Sequence, residues 1–260
     1  TLMISKEDIL DGLNTEVFAK KVFTFDTIDS TNDCAKVLAT NNQPAGSLII
    51  SEYQTKGHGR FKRQWLSEPG KNLLFSLILK PDLDERYHHL LTFFIANCIA
   101  DVIETLYKIK VMAKWPNDLL INERKFCGIL LETVKKDDIF AIICGVGINV
   151  NQTVFHENLI NVTSLKREIH NEVDRLLLLK SILKKLDSNY KHFIENPKNE
   201  IELWKERDIL KGKSVHVFFN QNNYFGHVID IDSDGYLVLR TDGKKRLKFY
   251  SGDVSLKSKE

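Results

Sequence analysis

Cysteine is scarce and scattered. The chain has four in 260 residues, and Cys34, Cys98, Cys127 and Cys144 stand too far apart to form a metal-binding or redox pair. Three of them lie in apolar stretches, which predicts small buried thiols in a reducing compartment, so a cytoplasmic protein. An excess of charge is also missing: 37 basic residues face 35 acidic ones, for a net charge of +2. A nucleic-acid partner would ordinarily show as a strong basic surplus, so none is expected. Residues 1–11 have no positive start followed by an apolar run, so no secretory signal is expected there. The longest apolar stretch, 90–107, is interrupted by Asn97, Asp101 and Glu104, so it reads as a core helix with no membrane partner. A Walker loop, a dinucleotide fingerprint, a His-Glu-x-x-His pair and a serine elbow are all absent.

What is present alternates between the periods of strands and helices. Residues 1–18 read as a short helical lead-in. Strands are predicted at 21–25, 47–53, 72–79, 111–115, 126–134 and 139–150, with helices at 30–40, 86–107, 172–194 and 199–209. Beyond Gly212 short alternating segments recur about every ten residues between Asn-, Asp- and Gly-rich turns, the pattern of a small all-β unit. The expected organisation is a lead-in (1–18), a large domain (19–209) and a small β domain (210–260). The class is α/β (α+β): a mixed sheet with packed helices, followed by a separate β unit.

Chemistry concentrates in two segments. Lys56-Gly57-His58-Gly59-Arg60-Phe61-Lys62-Arg63 places four permanent cations and two glycines in eight residues, closed by Trp65. Glycines let backbone N–H groups approach an anion, and arginine forks neutralise it. Some sixty residues on, Lys114-Trp115-Pro116-Asn117-Asp118 fixes a lysine at a strand end, with Pro116 holding its neighbour extended. A mobile cationic loop facing a fixed lysine suits a site that brings two anions together. Ser30, Thr31 and Asn32 begin a helix, where they serve as caps and also offer a neutral hydrogen-bonding pocket that Gln54 can extend. For Gly145 and Gly147, close approach by a ligand and tight strand packing are equally open readings. The pair His88-His89 reads as ordinary surface at a helix start.

Together these pieces resemble the biotin protein ligases over 20–258. The resemblance rests on Asp-Ser-Thr-Asn at 29–32, Glu-Tyr-Gln at 52–54, the cationic loop with Trp65, and Lys-Trp-Pro-Asn-Asp at 114–118. It continues through 125–130, Gly-x-Gly-Ile-Asn at 145–149 and Thr-Ser-Leu at 163–165. It implies a C-terminal SH3-like barrel, and an enzyme that activates biotin with Mg2+ and ATP to biotinyl-5′-AMP. Biotin then passes to one lysine of a carboxylase carrier domain. It further implies that Ser30, Thr31, Asn32 and Gln54 hold the ureido head of biotin. His58, Gly59 and Arg60 would fold over the carboxylate and the adenylate, with Arg60 and Lys114 catalytic and Lys114 also on the biotin carboxylate. Arg63, Trp65, Asn117 and Asn149 would serve the nucleotide, Trp65 by stacking on adenine. Mg2+ would ride on the ATP phosphates, with no protein ligand assigned. The resemblance admits a homodimer through sheet edges and implies an enzyme without operator binding. Lipoate ligases and octanoyltransferases share the fold, but the Lys114–Asp118 run and the polar pocket favour biotin over an alkyl chain.

Two positions depart from the family pattern. Lys62 stands where the family has glycine; a left-handed backbone there would cost roughly 1 kcal/mol, so the loop is expected to take another path when it closes. His58 stands where the family has arginine, which makes one loop charge titratable. Retention of biotinyl-5′-AMP is therefore expected to weaken above about pH 7. An adenylate off-rate that stays constant from about pH 6 to 8 would refute this.

Overall fold

Two hydrogen-bonded sheets organise the chain, seen here in a computed structural model that describes residues 3–256. The larger has seven strands: β1 (Val22–Ile28), β2 (Leu48–Gln54), β3 (Leu73–Leu79), β4 (Met112–Lys114), β5 (Asp118–Ile121), β6 (Arg124–Lys136) and β7 (Ile139–Ile148). Their spatial order is β1-β2-β3-β7-β6-β5-β4. Helix α1 (Lys6–Leu10) lies in the lead-in; only β1 and β2 run parallel, joined by helix α2 (Thr31–Thr40), and every other neighbour is antiparallel. The sheet is mixed, as the sequence predicts. Strand β5 was not anticipated, because four residues between a proline and an Asn-Glu turn are too few for a period to show.

Side-chain alternation divides this sheet into two faces. On one face Leu73, Phe75, Leu77, Ile129, Cys144, Val146 and Ile148 join the main core. There they meet α3 (Leu91–Tyr107), which is entered through a 3-10 turn at Glu85–Leu90, and beyond it α5 (Arg175–Glu195) and α6 (Asn199–Arg207). Phe94 stacks on Phe193 at 4.6 Å and Phe93 on Trp204 at 4.4 Å, tying the three helices together. The stretch Glu85–Tyr107 is long and apolar enough to cross a membrane, yet its helix is buried between the sheet and its helical neighbours. A shorter helix, α4 (Leu165–Ile169), capped by Ser164, was not anticipated. Across the sheet edge, buried Arg175 pairs with buried Glu52 at 2.6 Å, and Glu52 also accepts from the Ile4 amide at 2.8 Å. The opposite face carries α2. Its Ala35 and Ala39 pack on Ile49, Ile78 and Ile143 in a small second core, beside a strip of that face on which Trp65 rests.

The C-terminal unit has strands β8 (Ser214–Phe219), β9 (Asn222–Ile231), β10 (Leu237–Arg240), β11 (Arg246–Phe249) and β12 (Asp253–Leu256). They form an antiparallel sheet in the order β11-β10-β9-β8-β12, and among the described residues no ladder joins β11 to β12. The small all-β unit is thus present, as an open five-stranded sheet. It is docked firmly on the larger domain. The Ile209 amide bonds Ala113 O of β4 at 3.0 Å, and the Asp232–Tyr236 turn reaches back across the seam. In that turn Gly235 O accepts from Trp115 Nε1 at 3.1 Å, Asp234 O lies 2.7 Å from His89 Nε2, and the Asp234 carboxylate pairs with Lys198 at 3.0 Å. His89, read from sequence as plain surface, is therefore a domain contact.

Gly235 has φ +81°, and a Cβ there would lie 3.0 Å from Leu90 Cδ2 and 3.3 Å from Phe93 Cε2. Gly235→Ala should therefore destabilise the fold by about 1–2 kcal/mol. Urea denaturation checks it, and an unchanged midpoint would show that the turn is not seated as described.

Candidate active site

The open part of the second sheet face is paved with glycine. In the register of β6 and β7, Gly128 pairs with Gly147 and Leu130 with Gly145; Ser76 of β3 lies opposite Gly145. A Cβ on Gly147 would come within 2.6 Å of Trp65 Cε2, and one on Gly128 within 3.0 Å of Cζ3. One on Gly145 would lie 2.2 Å from Asn32 Oδ1. Close approach is thus the reading the structure supports, and the approaching groups are this chain's own Trp65 and Asn32. Above this floor a cleft of about 250 Å³ is lined by Ser30, Thr31, Asn32, Gln54, His58, Gly59, Arg60, Arg63, Trp65, Lys114, Asn117 and Asn149. All twelve candidates from the sequence are thus brought to one cavity.

At one end the cleft is lined by neutral side chains, Ser30, Thr31 and Asn32 buried and Gln54 half-buried, with an ion pair behind them. Ser30 caps α2 by accepting from the Asp33 amide at 3.3 Å. Gln54 Oε1 accepts from the Thr31 amide at 2.7 Å and from its hydroxyl at 3.0 Å. Ser76 Oγ donates to Asn32 Oδ1 at 2.6 Å, and Asn32 Nδ2 donates to Glu132 Oε2 at 2.8 Å. The Asn32 amide is thereby held in one orientation, with a second lone pair and a second N–H left for a ligand. Glu132 also accepts from Lys36 Nζ at 2.7 Å and lies 3.7 Å from His58 Nε2. Sequence reasoning missed Ser76 and Glu132. Each carried a signal: a lone serine in the apolar run Leu73–Leu79, and a carboxylate inside β6.

At the other end the groups are charged. The cationic loop folds as a tight turn, with the Gly59 amide on Arg63 O at 2.7 Å and the Trp65 amide on Gly57 O at 2.8 Å. Phe61 and Lys62 sit at its tip with φ 55° and 56°. Lys62 thus takes the left-handed backbone here despite its side chain. Arg60 does not stand free. Its Nη1 donates to Gly252 O at 3.0 Å and, at 3.4 Å, to Asn117 Oδ1, while Nη2 donates to Ser251 Oγ at 2.6 Å. Arg63 grips Asp253 with both terminal nitrogens, Nη1 lying 3.1 Å from Oδ1.

Lys114 ends β4 before a cis Trp115–Pro116 bond. Burial pushes its ammonium pKa down, while Asp118 and Asp253 pull the other way. Burial likewise lowers Arg60, with Asp118 and Asp253 again opposing. Lys125 pairs with Asp118 at 2.6 Å and sits 5.5 Å from the Trp65 ring centre. Asn117 Nδ2 is committed to Ile129 O at 2.6 Å. Asn149 Nδ2 bonds Thr163 O at 3.1 Å, but its Oδ1 is buried with no partner among the described residues. A neutral pocket at one end and a cluster of cations at the other can hold a polar head together with two adjoining anions.

The family model for the Biotin/lipoate A/B protein ligase family matches residues 24–149, and that for the Biotin protein ligase C terminal domain matches 212–257. The Bifunctional ligase/repressor BirA of Bacillus spizizenii is 35% identical over 97% of this chain and 79% of its own length. A Biotin--[acetyl-CoA-carboxylase] ligase from Mycobacterium tuberculosis is 26% identical over 80% of this chain and 78% of its own. The biotin protein ligase from Aquifex aeolicus, solved in complex with biotin and ATP, superposes with a TM-score of 0.80 at 28% identity, covering 92% of this chain and 99% of that one. Both domains match in order, and close relatives span nearly the whole sequence; the chain belongs to the biotin protein ligase family.

Proposed function

We propose that this enzyme joins biotin to ATP, releasing pyrophosphate, and then passes the biotinyl group to a lysine of a carboxylase carrier domain. The observation that carries the reading is the two-ended cleft, in a chain of this family. Ser30, Thr31, Asn32 and Gln54 hold the ureido head, whose N–H and C=O groups match the donors and acceptors of the Asn32 amide. The valeryl chain then runs over the glycine floor toward Lys114. There the biotin carboxylate attacks the α-phosphorus: a C–O–P bond forms and the bond to the β-phosphate oxygen breaks. Two anions must meet, so the barrier is largely repulsion and alignment. Lys114 and Arg60 offset it as fixed cations, each supplying about 3 kcal/mol in a site shielded from water.

Trp65 offers a flat face to the adenine, and Arg63 and Asn117 stand on the phosphate side. A magnesium ion fits the donors present. The unpartnered Asn149 Oδ1 would serve as one oxygen ligand, and the Asp118 carboxylate as another once released from Lys125; a Mg2+ bound with the phosphates would neutralise charge on the leaving group. In the second half-reaction the carrier lysine, arriving without its proton, attacks the acyl carbon and AMP leaves. The cations around the mixed anhydride favour the neutral amine.

Biotin-dependent ATP–pyrophosphate exchange tests the reading directly. Exchange is expected with biotin and not with lipoate or octanoate; the reverse pattern would overturn it. Lys114→Gln should cut kcat for exchange by about 10²–10³-fold in a folded protein, the scale of losing one charge-stabilising group. A loss under about tenfold would remove Lys114 from the chemistry.

A further inference from the structure

Asp253 is the acidic group that the small C-terminal sheet contributes to the cleft; the other acidic residue lining it, Asp118, is occupied by Lys125. Asp253 opens β12, where the ladder to Phe218 of β8 fixes its backbone. Its carboxylate meets the Arg63 fork edge-on, two oxygens against two nitrogens. A phosphate presents the same pair of oxygens to a guanidinium. Burial raises the carboxyl pKa, but the Arg63 hydrogen bond and the charges of Arg63, Lys114 and Arg60 outweigh it and hold the group below its ordinary value. One carboxylate therefore pairs with Arg63 and lines the same cleft as Arg60 and Lys114, the three cations that the adenylation reading reserves for substrate anions.

We propose that Asp253 is an internal stand-in for substrate phosphate, occupying the Arg63 fork until the nucleotide displaces it. Without a counter-charge, Arg60, Arg63 and Lys114 would repel one another. With a triphosphate and the biotin carboxylate in place, a further anion would repel the ligands instead. The pair is built to exchange: Arg63 keeps 65% of its side-chain exposure and Asp253 35%. A pair so open to water is weak, and a more highly charged competitor can displace it. Arg60, held by Ser251 and Gly252 through neutral oxygens, keeps the loop beside the C-terminal sheet while Arg63 changes partners. The C-terminal sheet thereby sets how readily the loop accepts phosphate.

The proposal rests on the adenylation reading, and the test separates the two. Failure of biotin-dependent exchange in the unaltered enzyme would sink that reading; the inference about Asp253 is read only from variants of an active enzyme. Asp253→Asn keeps the shape and removes the charge. Its KM for ATP should fall about fivefold, the scale of one exposed ion pair, with the KM for biotin changed less than twofold. In an Arg63→Ala background the same substitution should have no further effect on the ATP KM, since the fork it competes for is gone. An ATP KM that is unchanged, or that rises, overturns the proposal; a rise would make Asp253 a support of the loop. Should Asp253→Asn fail to fold, Asp253→Ser carries the same expectation. If neither folds, Asp253 is structural and the proposal fails.

Discussion

The strict alternation of side chains along β6 and β7 governs the rest of the structure. Ile129, Cys144, Val146 and Ile148 must point into the main core, so Gly128, Leu130, Glu132, Gly145 and Gly147 must point the other way. A one-residue slip would bury Glu132 in the main core and empty the cleft. The alternating pattern thus fixes register and site in the same stroke. Because α2 covers only the neighbouring part of that second face, with alanines for close contact, the glycine strip is left as a floor. Trp65 and Asn32 rest on it, and their positions follow from the missing Cβ atoms beneath them.

Around that floor the charges are balanced before any ligand enters. Lys36 answers Glu132 and Asp33, Lys125 answers Asp118, and Arg63 answers Asp253. Burial lowers the pKa of Lys36, but its two carboxylate partners raise it further, so the ammonium is stabilised there. Lys114 is the contrasting case: among the described residues it has no carboxylate within ion-pairing distance, and burial dominates. A desolvated lysine without a close partner is a strong point of attraction for an incoming anion. The charge distribution thus leaves Lys114 as a cation in the cleft with no close carboxylate.

Much of this was legible in the chain, for physical reasons that differ from group to group. Local constraints spoke clearly: Ser30 as a cap, Lys114 ahead of Pro116, and glycines recurring at period two. The seven-strand sheet was legible except for β5, whose four residues follow the Pro116 break too closely to display alternation. Long-range pairings were not. Nothing near Asp253 in sequence points to Arg63, 190 residues away, and nothing near Gly235 points to Trp115, 120 residues away. Lys62 shows a third kind of gap. Intrinsic preference alone disfavours a left-handed lysine, whereas the hydrogen bonds from the Gly59 and Trp65 amides close the turn and hold Lys62 there.

The seat of Trp115 has a bearing on how such a chain can change over generations. Its indole is buried, bonded to Gly235 and flanked by Gly252, while its preceding neighbour is Lys114. The small sheet therefore holds the residue that follows Lys114 at the end of β4. Exchanging that sheet for one from a distant relative would not merely trade an appendage. It would bring a foreign turn against Trp115 and foreign oxygens against Arg60. The seam between the domains is consequently among the least interchangeable surfaces in the molecule, and the two units are bound to be inherited as one piece.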